Sequence, residues 1–184
     1  MYRIVIALTV LLNALPAQGN DQPSYKDGVL TIPSINTDDQ VGMHQDAAME
    51  MNADGSWRLA SVRAMHGQGG LPFAYLTPVR NVEAVKTDGV PVQVLLRVSG
   101  QFPSSCGSVG QVSQRRVGNR FEVVIADAFT RYDEDIACAA VIQPYVRVVP
   151  LAVYGLSAGT YSYVVNGVQS GTFVLGADNV LSGN

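Results

Sequence analysis

The sequence predicts an all-β fold, an antiparallel β-sandwich with a barrel as the second architecture, and three observations carry that prediction. Short apolar runs alternate with period two, which places every second side chain on one face of a strand. Turn-forming residues separate them, with 18 Gly and 9 Pro in 184 residues. Outside the N-terminal apolar run, no segment of eight or more residues repeats at 3.6. About ten short strands at this spacing must bury their apolar faces against one another.

The chain opens MYRIVIALTVLLNALPAQG, with Arg3 ahead of an apolar run from Ile4 to Leu12 and small residues Ala17 and Gly19 after it. That is the layout of a secretory signal peptide, and the run is too short for a spanning helix. Residues 1–19 are therefore expected to be removed, leaving a periplasmic or secreted protein with no transmembrane segment. The remaining chain of about 165 residues is the size of one domain. The formal charge of -3 becomes -4 without Arg3, and no basic stripe or interleaved aromatic track exists, which argues against nucleic acid as a partner.

The first strand expected is GVLTIPSI at 28–35, edge-like or bulged because Pro33 lacks an N–H. Next, VGMHQDAAMEM puts Val41, Met43, Ala47, Met49 and Met51 on one face and His44, Asp46 and Glu50 on the other. A three-residue loop at Ala53-Asp54-Gly55, with Gly55 left-handed, pairs Met51 with Trp57 and Met49 with Leu59. A two-residue loop would set Met51 against Arg58, so the first register is preferred. It also places residue 44 opposite residue 64.

After the connection HGQGGLP come FAYLTPV, NVEAVK and VPVQVLLRVSG, where Val90, Val92, Val94, Leu96 and Val98 form the clearest core alternation. VGQVSQRR and NRFEVVIADAF read as a hairpin about residues 117–119. In PYVRVVPLAVYGL, Pro150 shifts the alternation and is expected to mark a bulge or a crossing between sheets. In AGTYSYVVNGVQSGTFVL, Asn166-Gly167 signals a type I′ turn, pairing Val165 with Val168 and Tyr163 with Ser170. If Tyr163 and Val165 face the core, Val164 and Phe173 lie outward, and the reverse assignment fits the pattern almost as well. One face of this hairpin must then be covered by the N-terminal hairpin or by a partner.

Cys106 and Cys138 are the only cysteines. In an oxidising compartment an isolated pair forms a disulfide, closing a loop of about 33 residues worth roughly 3.7 kcal/mol of unfolded-state entropy.

The blocks PVQVLLRVSGQFPSSC, VGNRFEVVIA, ACAA and VPLAVYGLSAGTYSYVVNGVQSGTFVL occur in order between Val82 and Leu175. In this the chain resembles exported bacterial immunoglobulin-like β-sandwich domains. GVLTIPSI and a hairpin ending DGSWRL resemble a segment found ahead of such domains. The resemblance implies an immunoglobulin-like sandwich over 80–176, preceded by a strand and hairpin segment over 20–79; residues 177–184 carry no partner pattern and are expected to form a flexible tail. It implies no catalytic residue. Within the N-terminal segment, residues 28–64, about 37 residues with neither cysteine, are too few to bury a sufficient core alone. Its Met43, Met49, Met51, Trp57 and Leu59 face is expected to pack on the sandwich, so that Trp57→Ala would cost roughly 3 to 5 kcal/mol.

For function, the stretch from Val41 to Gly67 holds both histidines and four methionines. Imidazole and thioether ligands suit Cu(I), and the register brings His44 with Met43 near His66 with Met65, a candidate copper site. The simpler reading is that the methionines fill core space while the histidines point outward. The acidic runs Asp38-Asp39 and Asp133-Glu134-Asp135, with Asp127, lack the staggered spacing of a calcium loop. PSSCGS at 103–108 lacks the context of a nucleophile motif, and no phosphate loop or zinc motif occurs. No cofactor is expected under the leading reading. The sequence thus points to a non-enzymatic exported protein acting as an interaction or structural module for a protein partner, with periplasmic copper binding as the alternative.

Overall fold

A computed structural model describes residues 22–64, 76–128 and 137–181. Among these residues there is no helix, and eleven strands form: β1 (Ser24–Lys26), β2 (Val29–Ile35), β3 (His44–Met51), β4 (Trp57–Ala64), β5 (Val79–Lys86), β6 (Val94–Phe102), β7 (Val109–Val117), β8 (Arg120–Asp127), β9 (Gln143–Leu151), β10 (Gly159–Val165) and β11 (Gln169–Leu175). They make three sheets, ordered β1-β2-β3-β4, β5-β6-β9 and β11-β10-β8-β7.

The last two sheets enclose the core. Val94, Leu96 and Val98 from β6 and Val149 and Leu151 from β9 face Phe121, Val123 and Ile125 from β8 and Tyr161, Tyr163 and Val165 from β10. Phe121, Tyr161 and Phe173 cluster with ring centroids 5.5 to 6.3 Å apart, within the range of favourable aromatic contact. Alternation is thus realised where both faces differ in solvation: along β6 the inward residues are fully buried while Arg97 is exposed. β6 begins only at Val94; Val90 is exposed and Val92 half-buried, because Pro91 interrupts the run expected from residue 90.

One ladder departs from the antiparallel expectation. β10 pairs with β8 in parallel, Tyr163 opposite Phe121 and Val165 opposite Val123. Parallel neighbours need a long crossover. Here the chain leaves β8, passes through the opposite sheet as β9 and returns as β10. Nor does Pro150 make a bulge: it lies opposite Leu95 in an unbroken ladder, at the free edge of β9. An edge position asks for no N–H on the outer side, so proline fits without disturbing the register.

The terminal hairpin corrects a register. Val168 N–H donates to Val165 O at 3.1 Å, and Asn166 and Gly167 both have positive φ (50° and 70°), so the type I′ turn forms. The ladder nevertheless resumes one residue later, pairing Val165 with Gln169, Tyr163 with Gly171 and Tyr161 with Phe173. Val168 bulges out, 66% exposed, and Phe173 turns inward, 5% exposed. The shift buries Phe173 and Leu175 on the same face as Tyr161 and Tyr163. The buried Asn166 side chain pins the turn: its Oδ1 accepts from Ile125 N at 2.7 Å, and its Nδ2 donates to Thr77 O at 2.8 Å.

After β11, Asp178 and Asn179 bond back to the sandwich. Asn179 is buried, accepts from Val92 N at 2.6 Å and donates to Val92 O and Val153 O at 2.9 Å. Asp178 accepts from Ala158 N at 2.7 Å. These bonds are made by side chains in a segment with no strand pattern; residues 182–184 of the expected tail lie outside the described residues.

The N-terminal sheet forms with the expected hairpin. Gly55 has φ 83°, Asn52 N–H donates to Ser56 O at 2.7 Å, and Met51 faces Trp57. One extra residue in β4 beyond Leu59 and one in β3 beside Asp46, at φ 50°, offset each other, so His44 still faces Ala64. β2 lies inside this sheet, but β1 pairs only with Val29–Thr31, so Pro33 has no neighbour on that side.

Docking onto the sandwich uses the other end of the sheet from the one expected. Ser34 and Ser113 hydroxyls meet at 2.6 Å, Asn36 Nδ2 donates to Gln114 O at 3.2 Å, and Arg115 donates to Thr37 O at 2.6 Å. Val41, Gln45 and Ala47 are buried here, and Ser113 on the outward face of β7 is covered. Met51, Trp57 and Leu59 are instead 50%, 41% and 53% exposed. Of the face expected to pack on the sandwich, Met51, Trp57 and Leu59 stand in solvent while Met43 and Met49 are half-buried, because the hydrogen-bonded anchor lies at β2 and the β2–β3 turn.

Candidate functional site

Two regions of the described residues offer chemistry to a ligand or partner. The first is the free edge of the N-terminal sheet. In β4, residues 57–62 are all exposed, and among the described residues no strand pairs with its outer edge. Trp57, Leu59 and Val62 project from it, Met51 stands beside Trp57, and Tyr25 meets the Trp57 ring edge-on at 6.1 Å. On the opposite face an exposed Arg58–Glu50 ion pair supplies charge. The hairpin tip is ordered by Asp54, whose Oδ1 accepts from Ser56 N at 2.9 Å and Ser56 Oγ at 2.6 Å. Those bonds favour the charged carboxylate and lower its pKa from the ordinary 3.8.

The second is a cavity of about 310 Å³ where the free edges of β7 and β9 approach each other. Gln22, Ser34 and Asn36 close it from the N-terminal side; Val112, Gln114, Arg147 and Val149 line it from the sandwich. The opposite side of the sandwich is bridged by Lys86 Nζ donating to Val174 O at 3.0 Å. Arg147 lies between Tyr145 and Val149 on the inward face of β9, half-buried, and Gln114 lies opposite Val123 on the inward face of β7. Sequence reasoning passed over both. The signal was present: in YVRVV the period of two sets an arginine on the same face as a core tyrosine and valine.

The copper candidates are only partly within view. Met43 and His44 are half-buried at the start of β3, and His44 Nδ1 is buried without a hydrogen-bond partner. Met65 and His66 lie outside the described residues. Among the described residues no group of three or more His, Cys, Asp or Glu gathers as a metal site would. The idea that the methionines fill the core fails for Met51, which is exposed. Asp38 and Asp39 sit in an exposed turn, with Asp38 O accepting from Arg115 at 3.0 Å; Asp133, Glu134 and Asp135 lie outside the described residues.

Cys106 and Cys138 form the expected disulfide, with Cα atoms 5.4 Å apart. It binds the β6–β7 turn to the segment ahead of β9. Ser105 of the PSSCGS run belongs to the same joint: its N–H donates to Ala139 O at 3.0 Å and its hydroxyl accepts from Ala139 N at 2.9 Å. The seryl hydroxyl therefore has a structural occupation.

Residues 96–175, from within β6 to the end of β11, match the family model described as the ORF11 beta-sandwich domain. This agrees with the two facing sheets and defines that part of the chain as a β-sandwich domain. No curated protein and no solved structure matches the chain. Among the described residues, no helix is long and apolar enough to cross a membrane.

Proposed function

We propose that the protein is a non-enzymatic exported protein, periplasmic or secreted, in which an immunoglobulin-like sandwich carries an N-terminal sheet as an interaction module. The observation that carries this is β4, an edge strand exposed along residues 57–62 and bearing Trp57, Leu59 and Val62. An edge presents unpaired N–H and C=O groups in register for another strand, and soluble proteins normally blunt such edges with charge, proline or a covering element. Here the apolar side chains beside it supply contact area, and aromatic anchors dominate binding energy at interfaces. The signal-like N-terminus supports export.

The test is site-specific photo-crosslinking in cells from which the protein is exported. A crosslinker at Leu59 should give a discrete protein adduct that Trp57→Ala abolishes, while one at Thr172 on the far sheet should give none. Trp57→Ala should itself cost only about 1 kcal/mol, since the partly exposed ring loses one edge-on contact rather than a core position. Equal adducts at the two positions, or none, would sink the reading; so would turnover by the purified protein that a single pocket substitution removes.

The buried, unpartnered Nδ1 of His44 favours one second reading, Cu(I) binding by His44 and His66 with Met43 and Met65. It predicts a specific one-to-one complex by mass spectrometry that His44→Ala and His66→Ala together eliminate.

A further inference from the structure

The free edge of β4 also points to a particular partner, an inference that rests on the reading of that edge as an interaction surface. Two other edges are blunted in the ways usual for soluble β proteins: β1 is three residues long, and β9 carries Pro144 and Pro150, which have no N–H to offer. β4 has eight residues and no proline. Asn52 N–H donates to Ser56 O at 2.7 Å, which sets the alternation of the ladder: Arg58 bonds towards β3, while Trp57 and Leu59 direct their N–H and C=O groups to the open side. Beyond Leu59 the extra residue resets that phase at Ser61, which faces Ala48. Val62 therefore returns to the same face and the same open side as Trp57.

We propose that the partner is a second copy of this chain, whose β4 pairs antiparallel with the first about a two-fold axis and joins two four-stranded sheets into one. Aligning the exposed run 57–62 with itself sets Trp57 opposite Val62 of the second copy, Arg58 opposite Ser61 and Leu59 opposite Ala60. Apolar residues then meet apolar residues, and each Trp57–Val62 pair brings free backbone groups together. Shifting the register by one residue sets Trp57 against Ser61 in one direction and Arg58 against Val62 in the other, side chains that lie on opposite faces. Centring the axis on Arg58 puts two guanidinium groups directly opposite each other, which is repulsive. The register that overlaps the whole exposed run is thus also the one that matches faces and separates like charges. That self-complementarity is the condition a two-fold interface must meet, and it favours a second copy over an unrelated strand. One edge run from each copy makes a contact at the small end of specific interfaces, so the dimer forms with concentration, half-populated at roughly 10 to 100 µM.

The experiment is sedimentation velocity of the full exported chain from about 1 to 300 µM, a range that brackets the expected midpoint. The sedimentation coefficient should rise from monomer to dimer across that range. Leu59→Lys, a change at an exposed position that sets two like charges beside the axis, should hold the chain monomeric throughout. The register is read from an equimolar mixture of Arg58→Cys and Ser61→Cys chains under mild oxidation. Peptide mass should show the 58-to-61 cross-link about tenfold in excess over 58-to-58. A monomer at every concentration, or a dominant 58-to-58 cross-link, would overturn the proposal. If the monomer persists while a crosslinker at Leu59 captures a different protein, self-pairing fails and the reading of β4 as an interaction edge stands. A Leu59 crosslinker that captures nothing, the chain itself included, fails both. The concentration series on the unaltered chain decides the matter even if a variant does not fold.

Discussion

Asn166 and Asn179 show how single polar side chains complete a β-sandwich whose strands leave backbone groups unpaired at their ends. Asn179 is 2% exposed and makes three side-chain bonds that join the approach to β6, the segment after β9 and the chain's end. Asn179→Ala would strand those groups away from water and should cost about 3 kcal/mol, read as a lower urea midpoint at unchanged slope. A second residue-scale prediction concerns Tyr145, whose hydroxyl donates to Pro78 O at 2.8 Å and whose pKa is pushed up to about 12 by burial. Burial disfavours the charged phenolate, so the folded protein holds this proton where the unfolded chain releases it. The resulting stability is fully present below the unfolded value near 10.0 and is lost as pH rises towards 12. Ultraviolet titration should show a late-ionising tyrosine that Tyr145→Phe removes.

Among elements, the β10–β11 hairpin separates what a turn motif specifies from what a core demands. Asn166-Gly167 forms the turn that its positive φ values require, yet the register is set by the face that must bury Phe173. Phe173→Ala should therefore cost about 3 to 5 kcal/mol, a core value rather than a surface one. Deleting Val168 should change stability by only about 1 kcal/mol, because it removes the bulged residue and keeps Val165 opposite Gln169. Chemical denaturation of both variants checks the pair; a costly deletion with a silent Phe173→Ala would restore the two-residue register. β3 and β4 show the reverse case, in which two bulges cancel and pairing counted from the turn survives to residue 44.

At the scale of the molecule, two joints hold separate pieces in place. The N-terminal sheet is held through Ser34, Asn36, Thr37 and Asp38, and the chain passes Ser113 so closely that only glycine fits at position 42. A Cβ there would stand 2.4 Å from Ser113 Oγ, and φ is +67°. The disulfide clamps the β6–β7 turn to the segment leading into β9, spanning 32 positions of sequence. Replacing both cysteines by alanine should lower stability by roughly 3.7 kcal/mol, while a folded spectrum in the absence of denaturant is retained. Denaturation in parallel with the oxidised protein measures it; an unchanged midpoint would show that the joint is already held by the bonds of Ser105 with Ala139.

The sequence by itself determined the all-β class, most strand positions, the loop at residues 53–55 with its register, and the cysteine pairing, because each rests on short-range information: period two, turn chemistry and a lone pair of thiols. The resemblance to sandwich domains lay in the same local turn and core patterns. Tertiary structure decided the rest. Whether Phe173 faces in, whether Met51, Trp57 and Leu59 find cover, and whether Gln114 and Arg147 line one cavity all depend on which sheet lies across from which, and residues distant in sequence supply that. The parallel pairing of β8 with β10 is of the same kind, since the crossover through β9 leaves no mark on either strand. Asn179 remained invisible for a related reason: a side chain that repairs the backbone of two distant segments has no periodicity to announce it.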